Sequence, residues 1–220
     1  MPKNVNITTI ISILDLIAPH SCRGCGRIGN VLCDGCKKYI LQNASPILPK
    51  SLPKNFPPIY SIGERSGLLS QLIHEYKYNS TRAIGNSFAE LLNAKLPIFK
   101  GNIAIVPLPT STNHIRERGF DHTLYLAKKL AKLRHYKVEP ILIRNKNTTQ
   151  VGTDRKTRLK QADSAFIVSK KAKINLNTTY LLLDDVWTTG ASMKSAVKKL
   201  RESGAQNIIV ALLAISTLDD

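Results

Sequence analysis

The sequence has few acidic residues and few aromatic residues, and it has no long hydrophobic run. Fifteen Asp and Glu residues stand against 32 Lys and Arg residues, so the 220-residue chain carries a formal net charge of +17. This excess predicts a polyanionic partner, either a nucleic acid or a phosphate-rich ligand. No uncharged apolar run approaches the ~18 residues that a membrane-spanning helix needs, so we expect no membrane span. Hydrophobic residues still make up 43% of the chain, which is enough for a packed core and argues against disorder.

Cysteine is scarce, but all four cysteines lie within fifteen residues of one another. Cys22 and Cys25 form one C-x2-C pair, and Cys33 and Cys36 form a second. Two such pairs can place four thiolates around one ion, which favours zinc, with an iron–sulfur cluster as the less favoured alternative. Residues 6–18 have the pattern of a short amphipathic helix rather than a signal peptide, so metal binding is favoured over disulfides. We predict a structural zinc site in a cytoplasmic protein.

The chain is predicted to consist of two parts that are joined by a proline-rich segment. Five of the 11 prolines fall within residues 45–58, and proline favours an extended chain. We therefore predict an N-terminal zinc-binding module and linker over residues 1–58, followed by a larger domain over residues 59–220.

Strands and helices are predicted to alternate after this segment. Apolar residues at helical spacing predict helices over residues 67–78, 84–96, 122–133 and 191–202. Short apolar runs predict strands over residues 102–106, 138–144, 165–168, 180–183 and 207–216. This alternation is typical of an α/β fold, with a parallel sheet that is covered by helices on both faces.

One predicted strand ends in two aspartates and a glycine-containing loop, in the segment YLLLDDVWTTGASM. The loop consists of Thr188, Thr189, Gly190, Ala191 and Ser192. Backbone N–H groups, hydroxyls and the dipole of the following helix converge there, which predicts an anion site. Asp184 and Asp185 are placed to accept hydrogen bonds from hydroxyls or to hold a divalent cation, so the combination indicates a sugar phosphate. The alternative is an ordinary strand–turn–helix with capping residues, which does not explain the paired aspartates.

Positive charge is concentrated in residues 114–160, which contain 13 Lys and Arg residues and 4 acidic ones. This stretch is either a solvated face with phosphate-binding loops or a groove for a nucleic-acid backbone. Lys128, Lys129 and Lys132 share one face of a predicted helix and can line such a groove. Because few aromatic residues accompany the charge, we expect binding that is mainly electrostatic and independent of sequence.

Several motifs resemble known families. LLLDDVWTTGAS resembles the phosphoribosyl-pyrophosphate motif of type I phosphoribosyltransferases. ILDLIAPHSCRGCG…LCDGC, GLLSQLIHEYKY and VPLP…RERGFDHTLYLAKKL resemble segments of the ComF family of competence proteins, in the order that the family has them. Gln150 and RKTRLKQADSAF fit the same pattern, which is closest to the ComFC type of the family. Asp121 and His122 depart from it, because they stand where the family usually has Asn and Gln.

The resemblance implies a type I phosphoribosyltransferase-like domain and a role for each matched segment. Asp184 and Asp185 would face the ribose hydroxyls and Mg²⁺, and the loop of residues 188–192 would hold the 5′-phosphate of phosphoribosyl pyrophosphate. The turn that would hold the pyrophosphate consists of Leu108, Pro109, Thr110 and Ser111. Lys77 would lie on the pyrophosphate side, and Arg116 and Arg118 would belong to a basic loop over the site.

The resemblance also implies a function in natural transformation. A ComF-like protein would bind single-stranded DNA and phosphoribosyl pyrophosphate during DNA uptake, and other competence proteins would be further partners. The alternative is a catalytic phosphoribosyltransferase that acts on a nucleobase or an amine.

Overall fold

The computed structural model describes residues 20–45, 47–78, 81–145 and 165–217, and the structural statements below concern these residues. The helix predicted over residues 6–18, Gln150 and most of the segment 155–166 lie outside them. None of the helices within the described ranges combines the length and the apolar character that crossing a membrane requires.

Six helices and seven strands lie in the described ranges. The helices are α1 (Asp34–Asn43), α2 (Gly67–Tyr78), α3 (Arg82–Lys95), α4 (Thr112–Arg118), α5 (His122–Arg134) and α6 (Ala191–Glu202). The strands are β1 (Ile59–Glu64), β2 (Asn102–Pro107), β3 (Lys137–Val138), β4 (Leu142–Arg144), β5 (Phe166–Val168), β6 (Thr178–Trp187) and β7 (Asn207–Ile215). The predicted bounds of α2 and α6 agree with those observed.

Five of the strands form a parallel sheet in the order β1-β7-β6-β2-β3. One apolar cluster joins this sheet to α2, α3 and α5. A second cluster, formed by the strand side chains that point to the other face of the sheet, joins the sheet to α6. Successive side chains of a strand point to opposite faces, so a sheet that is buried on both sides needs the continuous apolar runs seen in β6 and β7. The predicted α/β class, with helices on both faces, is confirmed.

The single strand that was predicted over residues 138–144 is wrong, because two strands occupy this region. β3 pairs with β2 in the main sheet, whereas β4 pairs with β5 in a separate antiparallel ribbon. Pro140 lies between β3 and β4, and proline cannot donate a hydrogen bond to a strand ladder. The chain therefore leaves the main sheet at this point.

β6 extends beyond its predicted end, through both aspartates to Trp187. Its pairing with β7 continues to Trp187, opposite Ile215, whereas its pairing with β2 stops at Leu183, opposite Pro107. The aspartates therefore lie in a part of β6 that has a paired strand on only one side, at the carboxyl edge of the sheet.

Residues 47–58 of the proline-rich segment contain no helix or strand, but they pack against the main domain. The ring of Phe56 meets the ring of Trp187 edge-on at a centroid distance of 5.6 Å, and Arg201 donates a 2.7 Å hydrogen bond to the carbonyl of Asn55. Ile47 and Leu52 contact the apolar cluster on the α6 side. The segment is thus a packed connection, and the boundary at residue 58 remains a prediction.

Candidate functional site

The four cysteines come together as their spacing predicts. The sulfur atoms of Cys22, Cys25, Cys33 and Cys36 all lie within 4.8 Å of one another, and the Sγ atoms of Cys25 and Cys33 are 3.6 Å apart. Tetrahedral zinc with Zn–S bonds near 2.3 Å needs sulfur atoms ~3.8 Å apart. The cluster therefore fits a metal ion such as zinc.

Local backbone geometry prepares the cysteine cluster for a metal. The N–H of Cys33 donates to the sulfur of Cys22 over 3.4 Å. Burial opposes ionisation of Cys22, but backbone hydrogen bonds outweigh it and lower the pKa of this thiol to about 6. A Cβ at Gly24 would lie 2.7 Å from the sulfur of Cys36, so this position requires glycine. Cys22 and the neighbouring Leu32 also belong to the apolar cluster under α2 and α3, which joins the metal module to the sheet domain.

We expect Cys25→Ser to release the metal. Cys25 is exposed, so the substitution removes a ligand without changing the core. Elemental analysis of the freshly purified reduced protein should find about one zinc ion per wild-type chain and little in the variant, since the metal supplies folding energy to so small a module. Limited proteolysis should then cut the variant near α1. Ser21→Ala serves as the neighbouring control, and equal metal content in all three proteins would contradict the assignment.

The predicted anion site lies where β6 turns into α6. Its residues line a cavity of about 70 Å³ together with Asp184. The first N–H groups of a helix have no partner within the helix, and the helix dipole is positive there. Gly190, in the left-handed conformation, is the N-cap residue and provides no side-chain cap. The first turn of α6 therefore lies at this cavity, although the N–H of Ala191 already donates to the hydroxyl oxygen of Thr189 over 3.4 Å.

Two features require glycine at position 190: the left-handed backbone and the close approach of the Trp187 ring. Its φ is +73°, and a Cβ at this position would lie 2.1 Å from Cζ2 of Trp187. Trp187 is itself buried and held by Phe56. The indole thus forms the floor of the loop, and a larger residue at position 190 would displace the loop or the ring.

Asp184 and Asp185 point to opposite faces of the sheet, which corrects the expectation that both face the same ligand atoms. Asp184 lines the cavity beside the loop of residues 188–192. The carboxylate of Asp185 lies under α2 and α5, 2.9 Å from Nζ of Lys77 and 2.5 Å from Nε2 of His122. Neighbouring residues of one strand must diverge in this way.

Asp185 is part of a buried polar chain that the sequence did not reveal. Nη1 of Arg118 lies 2.9 Å from Nδ1 of His122. Because a guanidinium can only donate, His122 accepts at Nδ1 and donates from Nε2 to Asp185. Lys77, which was predicted as a site residue, completes the chain from α2.

The two carboxyl groups differ in their tendency to ionise. Burial, together with the charge of Asp185, raises the pKa of Asp184 to about 8. Burial also opposes ionisation of Asp185, but the hydrogen bond from His122 and the charge of Lys77 outweigh it and hold the pKa of Asp185 below its usual range. The two neighbouring carboxyl groups therefore have pKa values that are shifted in opposite directions.

The predicted pyrophosphate turn lies at the end of β2, but several of its donors are already occupied. The N–H of Leu108 bonds to the carbonyl of Leu183, and the side chain of Leu108 is buried. Pro109 has no N–H. The hydroxyl of Thr110 donates to Asp121 over 3.0 Å, and the hydroxyl oxygen of Ser111 accepts from the N–H of His114 as the N-cap of α4.

The residues predicted to bind nucleic acid are exposed with one clear exception. Arg116, Lys128 and Lys132 lie on the surface of α4 and α5, and Lys129 is half-buried with Nζ 5.1 Å from the ring centroid of Tyr125. Arg118 is only 4% exposed. Its place in a basic loop over the site is therefore corrected, because its guanidinium faces the buried His122.

Sequence reasoning missed two residues of this edge of the sheet. His122 has no partner at metal-ligand spacing in the sequence, so nothing local indicates its contact with Asp185. Arg144 ends β4 and donates from Nε to the carbonyl of Pro109 over 2.9 Å. No local signal connects Arg144 to the turn, since 35 residues separate them.

Comparisons with known proteins agree with the motif resemblance. The competence protein ComFC of Bacillus subtilis is 26% identical over 88% of this chain and 76% of its own length. ComFC of Streptococcus pneumoniae is 23% identical over 83% of this chain and 80% of its own length. Competence protein F of Haemophilus influenzae is 28% identical over 86% of this chain and 93% of its own length.

Two solved structures also align with the chain. One is the glutamine phosphoribosylpyrophosphate amidotransferase of B. subtilis in complex with ADP and GMP, with a TM-score of 0.44 and 16% identity. The other is described as the allosteric regulatory enzyme of purine biosynthesis, with a TM-score of 0.44 and 17% identity. Each alignment covers 64% of this chain and 30% of the other.

No protein-family model matches the sequence. The similarity to three competence proteins nevertheless extends over most of the chain, and it confirms the predicted resemblance to the ComF family.

Proposed function

We propose that this protein acts in DNA uptake during natural transformation, as a cytoplasmic protein that binds single-stranded DNA and the magnesium complex of phosphoribosyl pyrophosphate. The names of the three relatives support the role in competence. The proposal for the ligand rests on one observation: Asp184 and the helix-terminal loop of residues 188–192 line the same cavity.

The residues at this edge fit a sugar phosphate with a bound cation. The N–H groups of the loop would bind the 5′-phosphate, while Asp184 would accept hydrogen bonds from the ribose hydroxyls. When Mg²⁺ is bound with the ligand, it supplies positive charge next to the pyrophosphate, and Asp184 is the carboxyl group that faces this cavity. Asp185 would act from the opposite face of the sheet, under α2 and α5, by holding Lys77 and His122 in place.

Calorimetric titration tests the ligand half of the proposal. Phosphoribosyl pyrophosphate should bind to the wild type in the presence of Mg²⁺. Asp184→Asn removes the ionisable group at the cavity and should weaken binding about tenfold. Asp34→Asn, an exposed carboxylate on α1, is the control and should bind like the wild type. No heat of binding to the wild type would contradict the proposal.

The basic face would bind the DNA backbone. We define this face as Arg116, Lys128, Lys129 and Lys132. These residues lie on two consecutive helices, so their charges can follow a phosphate backbone, while Lys129 is positioned by its contact with Tyr125. Zinc at the four cysteines would have a structural role, since a site with four thiolates has no open coordination position.

Affinity for single-stranded DNA should fall steeply with salt, and removal of Lys128, Lys129 and Lys132 should reduce this dependence. Each phosphate contact to a single strand contributes about 0.7 to the slope of log affinity against log salt, so the triple alanine variant should lose about 2. Fluorescence anisotropy with a labelled oligonucleotide measures the slope.

The matched control for this experiment is the triple alanine variant of Lys170, Lys171 and Lys173. These exposed lysines carry the same charge but lie between β5 and β6. An equal loss of slope in both variants would mean that DNA is attracted by the net charge of the protein and not by the basic face. No binding at low salt would reject DNA as a partner.

A further inference from the structure

The turn that was predicted to hold pyrophosphate lacks a positive charge of its own. Of its donors, the N–H of Leu108 and the hydroxyl of Thr110 already have partners in the protein, and Pro109 has none to offer. A pyrophosphate group carries several negative charges. The N–H groups of Thr110 and Ser111 remain as donors, and a cationic side chain beside the turn would add charge-assisted hydrogen bonds to them.

Lys77, which was predicted on the pyrophosphate side, and Arg118, which was predicted in a basic loop over the site, are engaged in buried contacts. Nζ of Lys77 forms a 2.9 Å ion pair with Asp185, on the face of the sheet that α2 and α5 cover. Arg118 is buried against His122. Neither side chain can reach a ligand above the turn without giving up a buried contact.

Arg144 contacts the turn directly. It is exposed at the end of β4, and Nε donates to the carbonyl of Pro109 over 2.9 Å. Its guanidinium carbon lies 5.4 Å from the ring centroid of Phe166, its cross-strand partner in the ribbon. Phe166 is fully buried, so the ring that supports the guanidinium is fixed.

These two contacts hold the guanidinium and leave its outer edge available. Within the part of the chain that the structure describes, the only side-chain hydrogen bond of Arg144 is the one from Nε. The Nη groups can therefore donate to a ligand as a pair. Two parallel N–H donors match two oxygens of a phosphate, a geometry that lysine cannot reproduce.

We infer that Arg144 is the residue that binds the pyrophosphate group of the ligand, with its guanidinium oriented by Pro109 and Phe166. This inference rests on the proposed binding of phosphoribosyl pyrophosphate and assigns the anion-binding charge of that site to the β4–β5 ribbon. It also separates two parts of the site: residues 188–192 bind the 5′-phosphate, and Arg144 binds the other end of the ligand.

Three ligands distinguish these two parts in calorimetric titrations with Mg²⁺: phosphoribosyl pyrophosphate, inorganic pyrophosphate and ribose 5-phosphate. Arg144→Ala should weaken binding of phosphoribosyl pyrophosphate and of pyrophosphate about 10- to 100-fold, because two charge-assisted hydrogen bonds are lost. Ribose 5-phosphate lacks the pyrophosphate group, so its affinity should stay within about twofold of the wild type. Arg144→Lys keeps the charge without the paired donors and should fall between alanine and wild type.

Arg201→Ala is the matched control. Arg201 is also an exposed arginine that donates to a backbone carbonyl, but it lies at the far end of α6 from the loop. It should bind all three ligands like the wild type.

The outcomes separate the inference from the proposal it rests on. If the wild type binds phosphoribosyl pyrophosphate and Arg144→Ala binds it equally well, the inference is wrong while the proposed function stands. If Arg144→Ala loses ribose 5-phosphate to the same extent, Arg144 acts by supporting the turn and the inference is again wrong. If the wild type binds none of the three ligands, both are wrong.

Discussion

Asp185→Asn should destabilise the protein strongly, by about 2–4 kcal/mol, because it removes the negative charge on which Lys77 and His122 converge. Asp185 is only 7% exposed, so water cannot replace the lost partner. For a chain of this size the melting temperature should fall by roughly 5–15 °C, measured by calorimetry or circular dichroism near pH 7.

Asp184→Asn is the internal control, because it makes the same chemical change one residue earlier. Because the pKa of Asp184 is raised to about 8, the folded state keeps a proton between about pH 4 and pH 8 that the unfolded state has already released near pH 4. The free energy of unfolding therefore falls across this range in the wild type, and the asparagine variant lacks that fall. At pH 7.5 it should melt at the same temperature as the wild type or slightly higher. Equal destabilisation by both substitutions would contradict the opposite orientation of the two side chains.

Gly190→Ala should abolish binding of phosphoribosyl pyrophosphate while the fold persists. The added Cβ would lie 2.1 Å from Cζ2 of Trp187, so the loop or the buried ring must move. The left-handed backbone adds a strain of about 1–2 kcal/mol for any residue with a Cβ. We expect calorimetric affinity to drop more than about 100-fold, since misplaced loop N–H groups lose several hydrogen bonds to the phosphate at once.

Gly204→Ala separates strain from contact in this experiment. Gly204 also has a positive φ, of +98°, but a Cβ there meets nothing within 4 Å. It lies beyond the C-terminus of α6, far along the helix from the loop. It should lose only the stability that the backbone strain costs, and it should keep its affinity for the ligand. If both alanine variants bind like the wild type, residues 188–192 are only a helix cap.

The sequence predicts those parts of the fold whose signal is local. The bounds of α2 and α6 follow from apolar residues at helical spacing, and the four-cysteine cluster follows from two C-x2-C pairs. The end of β6 does not follow, because an acidic pair breaks the apolar run by which strands are recognised, while pairing with β7 keeps the chain extended. The opposite orientation of the two aspartates is a consequence of that longer strand.

Contacts between distant segments account for what the sequence does not predict. His122 acquires its role from Asp185, 63 residues away, and Arg118 is drawn inward by His122 although it stands in a basic run. The proline-rich segment packs on Trp187, a contact that composition cannot indicate. In each case the decisive partner belongs to another element of the fold.

The most direct measurement is a crystal structure of the protein with Mg²⁺ and phosphoribosyl pyrophosphate. We expect the 5′-phosphate at the N–H groups of residues 188–192, the ribose beside Asp184, and the pyrophosphate against Arg144. Asp185 should keep its contacts with Lys77 and His122. A ligand bound outside this carboxyl edge of the sheet, or ribose hydroxyls bonded to Asp185 instead of Asp184, would contradict this arrangement.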